Sequence, residues 1–144
     1  MLAGTGASDA VEMMAGVPYF EGLSDKALKA IANEGKVISY EAGRTIVDEG
    51  GAGVGFYLVL EGKVEVRKGG KVLATLGKGQ FFGEMSVIDG QPRSADVVAV
   101  TASRCWVLVA WSFAGMLKGH PEIALPMLKE LVRRLRAAQT APAS

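Results

Sequence analysis

The sequence predicts a mainly β fold, an antiparallel sandwich, roll or barrel of about eight short strands flanked by helices at both ends. Three observations carry that expectation. From Lys36 onward, apolar residues recur with a period of two in short runs divided by turn residues, which is how half-buried strands read. The 19 glycines in 144 residues supply the tight turns that many short strands need. Before Gly35 and after Trp111 the apolar period is instead that of helices packed on one face. With 49% hydrophobic and 22% charged residues, the chain suits one folded core.

Taken in order, residues 1–10 are expected to be a flexible lead, 11–138 the folded domain and 139–144 a flexible tail. Ser8-Asp9 can cap a short helix through Met14, ended by Gly16 and Pro18. Ser24 caps a helix from Asp25 to Asn33 that carries Ala27, Leu28 and Ile31 on one face, with Gly35 past its end. The strands then run Val37–Tyr40, Thr45–Val47, Phe56–Leu60, Lys63–Arg67 and Val72–Leu76. Gly69-Gly70 marks a hairpin between the last two. After a central glycine-marked stretch come Asp96–Val100 and Arg104–Ala110. Ser112 is expected to cap a helix through Leu117 that Gly119 stops. Pro121 opens a last helix with Leu128, Leu131, Val132 and Leu135 as its apolar stripe. Arg133, Arg134 and Arg136 are expected near its C-terminal end, where cations suit the dipole, and Pro126 is expected to break or kink its start.

Composition excludes several functions. A net charge of +1 gives no diffuse electrostatic grip on nucleic acid or membrane. The lone Cys105 allows no disulfide within the chain and reads as a small buried hydrophobe. No basic-then-apolar leader is present, and no apolar run reaches the roughly 18 residues of a membrane span. A soluble, cytoplasmic protein is expected. The single histidine, His120, cannot make a histidine metal cluster, and its place at a helix start reads as structural, which argues against a nucleophile with a histidine base. Glu84 and Asp89 alone do not make a two-carboxylate hydrolase. No catalytic residues, no metal, no cofactor and no enzyme activity are expected. Gly51 and Gly53 begin like a dinucleotide fingerprint, but the required sixth position is Phe56, and Gly77-Lys78-Gly79 lacks the rest of a P-loop.

The central stretch, Gly79 to Ala99, places one acid, Glu84, after Phe81-Phe82-Gly83, and one arginine, Arg93, nine positions later beside the small Ser94 and Ala95. A helical turn starting at Glu84 would point free amides at an anion. Arg93 adds a planar fork suited to phosphate oxygens. Glu84 cannot hold a phosphate and would accept from a sugar hydroxyl. On charge alone a Glu84–Arg93 ion pair closing the loop explains the same residues, and both readings stand at this point.

Phe82-Gly83-Glu84-Met85-Ser86 followed by Arg93-Ser94-Ala95 resembles the phosphate-binding cassette of the cyclic nucleotide-binding domain family, the sensors of the catabolite activator and cAMP-dependent kinase regulatory subunit kind. Phe56 to Gly62 resembles that family's third-strand signature, and the segment Val17 to Ser24 its N-terminal helical bundle, so the likeness spans about Val11 to Ala138. It implies an eight-stranded antiparallel β-roll, jelly-roll-like, with N-terminal helices and two C-terminal helices. It implies a regulatory module that senses cAMP first and cGMP second, on the strength of Ser94 and the compact cassette, and reports by moving its C-terminal helix. Phe82, Gly83, Glu84, Met85, Arg93, Ser94 and Ala95 would bind ligand, with Glu84 on the ribose 2′-hydroxyl and Arg93 on the cyclic phosphate. Val64, Leu73, Arg134, Leu135 and Ala138 would line the purine. Asp96 departs from the pattern, since many relatives have Ser or Thr there, and as a strand-edge residue is expected to leave binding intact. No helix-turn-helix is recognised, so direct nucleic-acid binding is not expected. A homodimer or an effector contact through the last helix is left open, as is the alternative of an interaction module of the same fold that binds no nucleotide.

Overall fold

The computed structural model describes residues 7–52 and 55–140. Most of the expected flexible lead (1–6) and tail (141–144), and residues 53–54, lie outside them. Two helices, α1 (Ala7–Ala15) and α2 (Asp25–Glu34), flank a 3-10 turn at Pro18–Phe20. Eight strands follow: β1 (Lys36–Tyr40), β2 (Thr45–Val47), β3 (Gly55–Glu61), β4 (Val64–Lys68), β5 (Lys71–Leu76), β6 (Phe81–Phe82), β7 (Asp96–Ala99) and β8 (Ser103–Val109). The short helix α3 (Glu84–Asp89) sits between β6 and β7. After β8 come α4 (Ala110–Gly119), a 3-10 turn at Pro121–Ile123 and α5 (Ala124–Thr140).

The strands form two antiparallel four-stranded sheets, ordered β1-β8-β3-β6 and β2-β7-β4-β5. In the first sheet, strands β3 and β8 are buried on both faces. Phe56, Leu58 and Leu60 of β3 and Trp106 and Leu108 of β8 pack with Met14, Phe20, Leu28, Ile31, Phe113 and Met127 of the helical layer. Val59 and Cys105 point the other way, into the roll, with Val47, Val64, Leu76, Phe82 and Val97. Burial on both faces explains why Phe56–Leu60 reads as an unbroken apolar run while β4 alternates. At the β4–β5 turn Gly69 and Gly70 take φ of +58° and +78°, the left-handed pair a two-residue hairpin needs.

Ser24 caps α2 through a 3.1 Å bond from the Ala27 amide. Gly35, past the end of that helix, is not a left-handed cap, for its φ is −103°. It is glycine because a Cβ would sit 2.5 Å from the Trp106 indole, whose Nε1 donates to the Ala32 carbonyl at 3.1 Å. Three expectations need correction near the C-terminus. α4 begins at Ala110 with no side-chain cap, so Ser112 lies inside its first turn. Pro126 does not break α5, because it falls in the first turn, where an amide has no helical acceptor anyway. The chain instead turns at His120 and Pro121. α5 continues to Thr140 with no basic residue in its last turn, so Arg133, Arg134 and Arg136 do not serve its dipole as terminal cations. Among the described residues no helix is long and apolar enough to cross a membrane.

Candidate functional site

β6 ends at Phe82, and the ring of Phe82 stacks on Tyr57 with centroids 4.7 Å apart. Packing thus fixes where the next residue starts. That residue, Gly83, has φ +85° and forms the N-cap of α3. A Cβ on it would lie 2.7 Å from the Gly55 carbonyl oxygen and 2.8 Å from Arg93 Nη1, so neither the conformation nor the space admits a side chain. The turn leaves Glu84 as the first residue of α3, where a carboxylate suits the helix dipole.

Arg93 is 6% exposed. Its Nη1 donates to the Gly83 carbonyl at 3.0 Å and its Nη2 to the Gly55 carbonyl at 2.6 Å. Its guanidinium lies 5.8 Å from the centroid of the Tyr57 ring. Nε is buried with no hydrogen-bond partner. Its hydrogen bonds among the described residues thus go to neutral groups, with the Glu84 carboxylate acting on it only through the field, and burial lowers its pKa. Its backbone is held as well, with Gly50 N donating to Arg93 O at 2.8 Å and Arg93 N to Gly51 O at 2.9 Å.

Glu84, also buried, pairs with a different arginine. Arg134 of α5 brings Nη1 to Glu84 Oε1 at 3.1 Å and Nη2 to the Phe81 carbonyl at 2.8 Å, and stands 4.4 Å from the centroid of the Phe81 ring. Glu130, one turn back, takes Arg134 Nε at 2.8 Å and grips Arg133 through Nε and Nη2. Burial pushes the Glu84 carboxyl above its ordinary range, against the pull of Arg134 and of the Glu84 and Met85 amides. Glu130 is held down at about 2, chiefly by the hydrogen bonds from Arg133. Of the two readings left open for Glu84 and Arg93, the ion bridge between them is absent, and each has its own anchorage.

These groups face a cleft of about 640 Å³, within the roughly 300–1,000 Å³ common for small-ligand sites. Phe82, Gly83, Glu84, Met85, Arg93, Ser94 and Ala95 all line it. So do Leu73 of β5 and Arg134 and Ala138 of α5. Two expected purine contacts do not. Val64 is fully buried in the roll interior, and Val66, two residues on and on the same face of β4, reaches the cleft instead. Leu135 is 59% exposed and turned away, because the helix face that meets the roll carries Met127, Leu131, Arg134 and Ala138. Sequence reasoning also missed Val47 and Val97, which face each other across β2 and β7, and Thr75, Gln80, Ser86, Arg133 and Ala137. Period two from Leu73 would have found Thr75, but the strand-to-strand register behind Val47 and Val97 has no local signal.

Residues 37–120 match the cyclic nucleotide-binding domain family. A cyclic AMP receptor protein of Thermus thermophilus is 35% identical over 130 residues, 87% of this chain and 60% of the relative. A cGMP-dependent protein kinase of Plasmodium berghei is also 35% identical, over 122 residues, 84% of this chain but 14% of the kinase. The crystal structure of Thermus thermophilus catabolite activator protein aligns with a TM-score of 0.75 at 34% identity, covering 85% of this chain and 60% of that one. The regulatory domain of Toxoplasma gondii PKA, crystallised with cAMP, shares the fold with a TM-score of 0.74 at 23% identity, over 86% of this chain and 49% of that one. The chain spans less than two thirds of the length of each.

Proposed function

The chain belongs to the cyclic nucleotide-binding domain family, and we propose that it takes a cyclic nucleotide into the cleft between α3, the second sheet and α5 as a regulatory, non-catalytic module. One observation supports this most. Arg93 is a buried cation whose partners among the described residues are two carbonyls and a ring face, with its Nε unpartnered. A charge removed from water with no direct ion pair among the described residues is costly, and an anionic ligand oxygen supplies that partner. In this reading the cyclic phosphate meets Arg93 with the backbone around Gly83, Glu84 and Ala95. Glu84 accepts from the ribose 2′-hydroxyl while Arg134 occupies its Oε1, since a carboxylate offers about four acceptor positions. The purine lies along Val66, Leu73 and Ala138. Met85, Ser94 and Phe82 complete the phosphate side. cAMP is the first ligand and cGMP the second, on the small Ser94 beside Arg93.

Signalling follows from Arg134. A hydroxyl on Glu84 shares the carboxylate that Arg134 holds, so it changes the balance between docked and released α5. Leu125, Leu128, Val132 and Leu135 form an exposed stripe on α5 away from the roll, and a second copy or an effector would read the helix there. The same stripe supports the rival reading, an interaction module that binds no nucleotide. Calorimetry with cAMP and with cGMP tests the choice. Heat and thermal stabilisation are expected with at least one, more strongly with cAMP. No heat and no stabilisation with either would leave the rival.

A further inference from the structure

We infer that Asp96 is a positioning residue for Arg93, one that holds the β2–β3 loop against the strand that carries the anion-binding fork; this rests on the nucleotide reading above. The β2–β7 ladder ends with Val47 opposite Val97. One residue earlier in β7, Asp96 turns its carboxylate to the loop, where Oδ1 accepts from the Glu49 amide at 2.6 Å. Backbone pairing then resumes at Arg93, whose carbonyl accepts from Gly50 N at 2.8 Å and whose amide donates to Gly51 O at 2.9 Å. A side chain thus bridges the gap in the ladder. The two residues spanned by that bridge are Ser94 and Ala95, both of which line the cleft.

The arrangement explains why an acid is tolerated three residues from an anion site. As a free charge, Asp96 would oppose a phosphate at Arg93. Bound to a backbone amide, it makes a charge-assisted hydrogen bond. It also holds Glu49, the residue next to Gly50 and Gly51, which pair with the Arg93 backbone. The Arg93 backbone, and with it the aim of the fork, depends on where that loop sits. The acceptor geometry of Asp96 is what matters, while its charge works slightly against ligand.

The test is cyclic nucleotide affinity by calorimetry for wild type, Asp96→Ala and Asp96→Asn, with amide exchange at Glu49 and Gly50 followed in parallel. Asp96→Ala should bind about five- to tenfold more weakly, the scale of one ordinary net hydrogen bond, and should exchange faster at both amides. Asp96→Asn keeps the acceptor oxygen and should bind within about twofold of wild type, with protection restored. If Ala fails to fold, Asp96→Val removes the acceptor while suiting a strand and takes its place in the comparison. Equal affinity for wild type and Ala (or Val) overturns the inference, and so does an Asn variant as weak as Ala. A wild type that binds no cyclic nucleotide refutes the proposed function instead, which keeps the two failures apart.

Discussion

Glu84 and Arg134 are 50 residues apart in sequence and meet at 3.1 Å, the first residue of α3 against the middle of α5. The same guanidinium also holds the Phe81 carbonyl and is steadied by Glu130. One side chain therefore ties the last helix to both ends of the β6–α3 turn. Arg134→Ala should weaken the docking of α5 by about 1–3 kcal/mol, because it leaves Glu84 buried without its charge partner. Amide exchange along α5 should quicken and cyclic nucleotide affinity should change with it. Unaltered exchange and unaltered affinity would show that Arg134 is not the fastening.

Arg93 gives the sharpest prediction on affinity. Arg93→Ala removes the buried cation and should cost about 2–5 kcal/mol of cyclic nucleotide binding, roughly thirtyfold or more. Lys78→Ala, at a turn residue that does not line the cleft, should cost little. A titration that found equal losses would place the anion elsewhere. Arg93→Lys should rescue only part of the loss, since an ammonium cannot hold the Gly55 and Gly83 carbonyls and a ligand in one plane.

Ligand affinity should fall on acidification at a higher pH than an ordinary glutamate would dictate. Burial raises the Glu84 pKa above its usual 4.5, and the ionised form is the one that accepts from a hydroxyl and pairs with Arg134. Binding is complete above the raised pKa and is lost as pH falls through it. Glu130 behaves in the opposite sense. Its folded pKa is depressed to about 2, so its contribution to stability is present above the ordinary glutamate value and fades only as pH falls toward about 2. Affinity should thus decline before the Glu130 clamp on α5 is lost. Affinity that stays flat from pH 7 down to pH 4 would contradict this.

Gly83→Ala should be among the most damaging single changes at the site. It forces a left-handed φ on a residue with a Cβ and drives that Cβ into the Gly55 carbonyl and the Arg93 fork. A loss of at least about 2 kcal/mol in stability is expected, with binding abolished, by thermal melts and calorimetry together. Gly79→Ala is the control. It has a similar φ of +85° but no atom within 4 Å, so it should lose stability without the specific loss of binding.

The site was legible in the sequence where it is local. Phe82 to Met85 and Arg93 to Ala95 are short, contiguous segments, and a turn, a helix start and a fork can be read from neighbours along the chain. What required the fold is long-range. The partner of Glu84 comes from α5, so the choice between Arg93 and Arg134 could not be made by spacing. Val64 and Val66 share one strand face, and only the curvature of the roll decides that the first is core and the second is cleft wall. The fold shows the same division. The hairpin at Gly69-Gly70 follows from local φ, whereas β6 is two residues long and exists because Phe81 and Phe82 pair with Leu58 and Tyr57. Gly35 ends α2 as the sequence suggests, but what requires a glycine there is a tryptophan 71 positions away in sequence.

The burial of Cys105 has a practical corollary. The only thiol of the chain is fully enclosed in the roll, and burial pushes its pKa up to about 12, so almost none is thiolate at neutral pH. Toward maleimides and other thiol reagents the folded protein should be nearly inert. A single Leu135→Cys substitution, at an exposed position on α5 that faces away from the cleft, would therefore take one dye at one place without removal of the native cysteine. The motion of the last helix could then be watched in an otherwise unaltered domain.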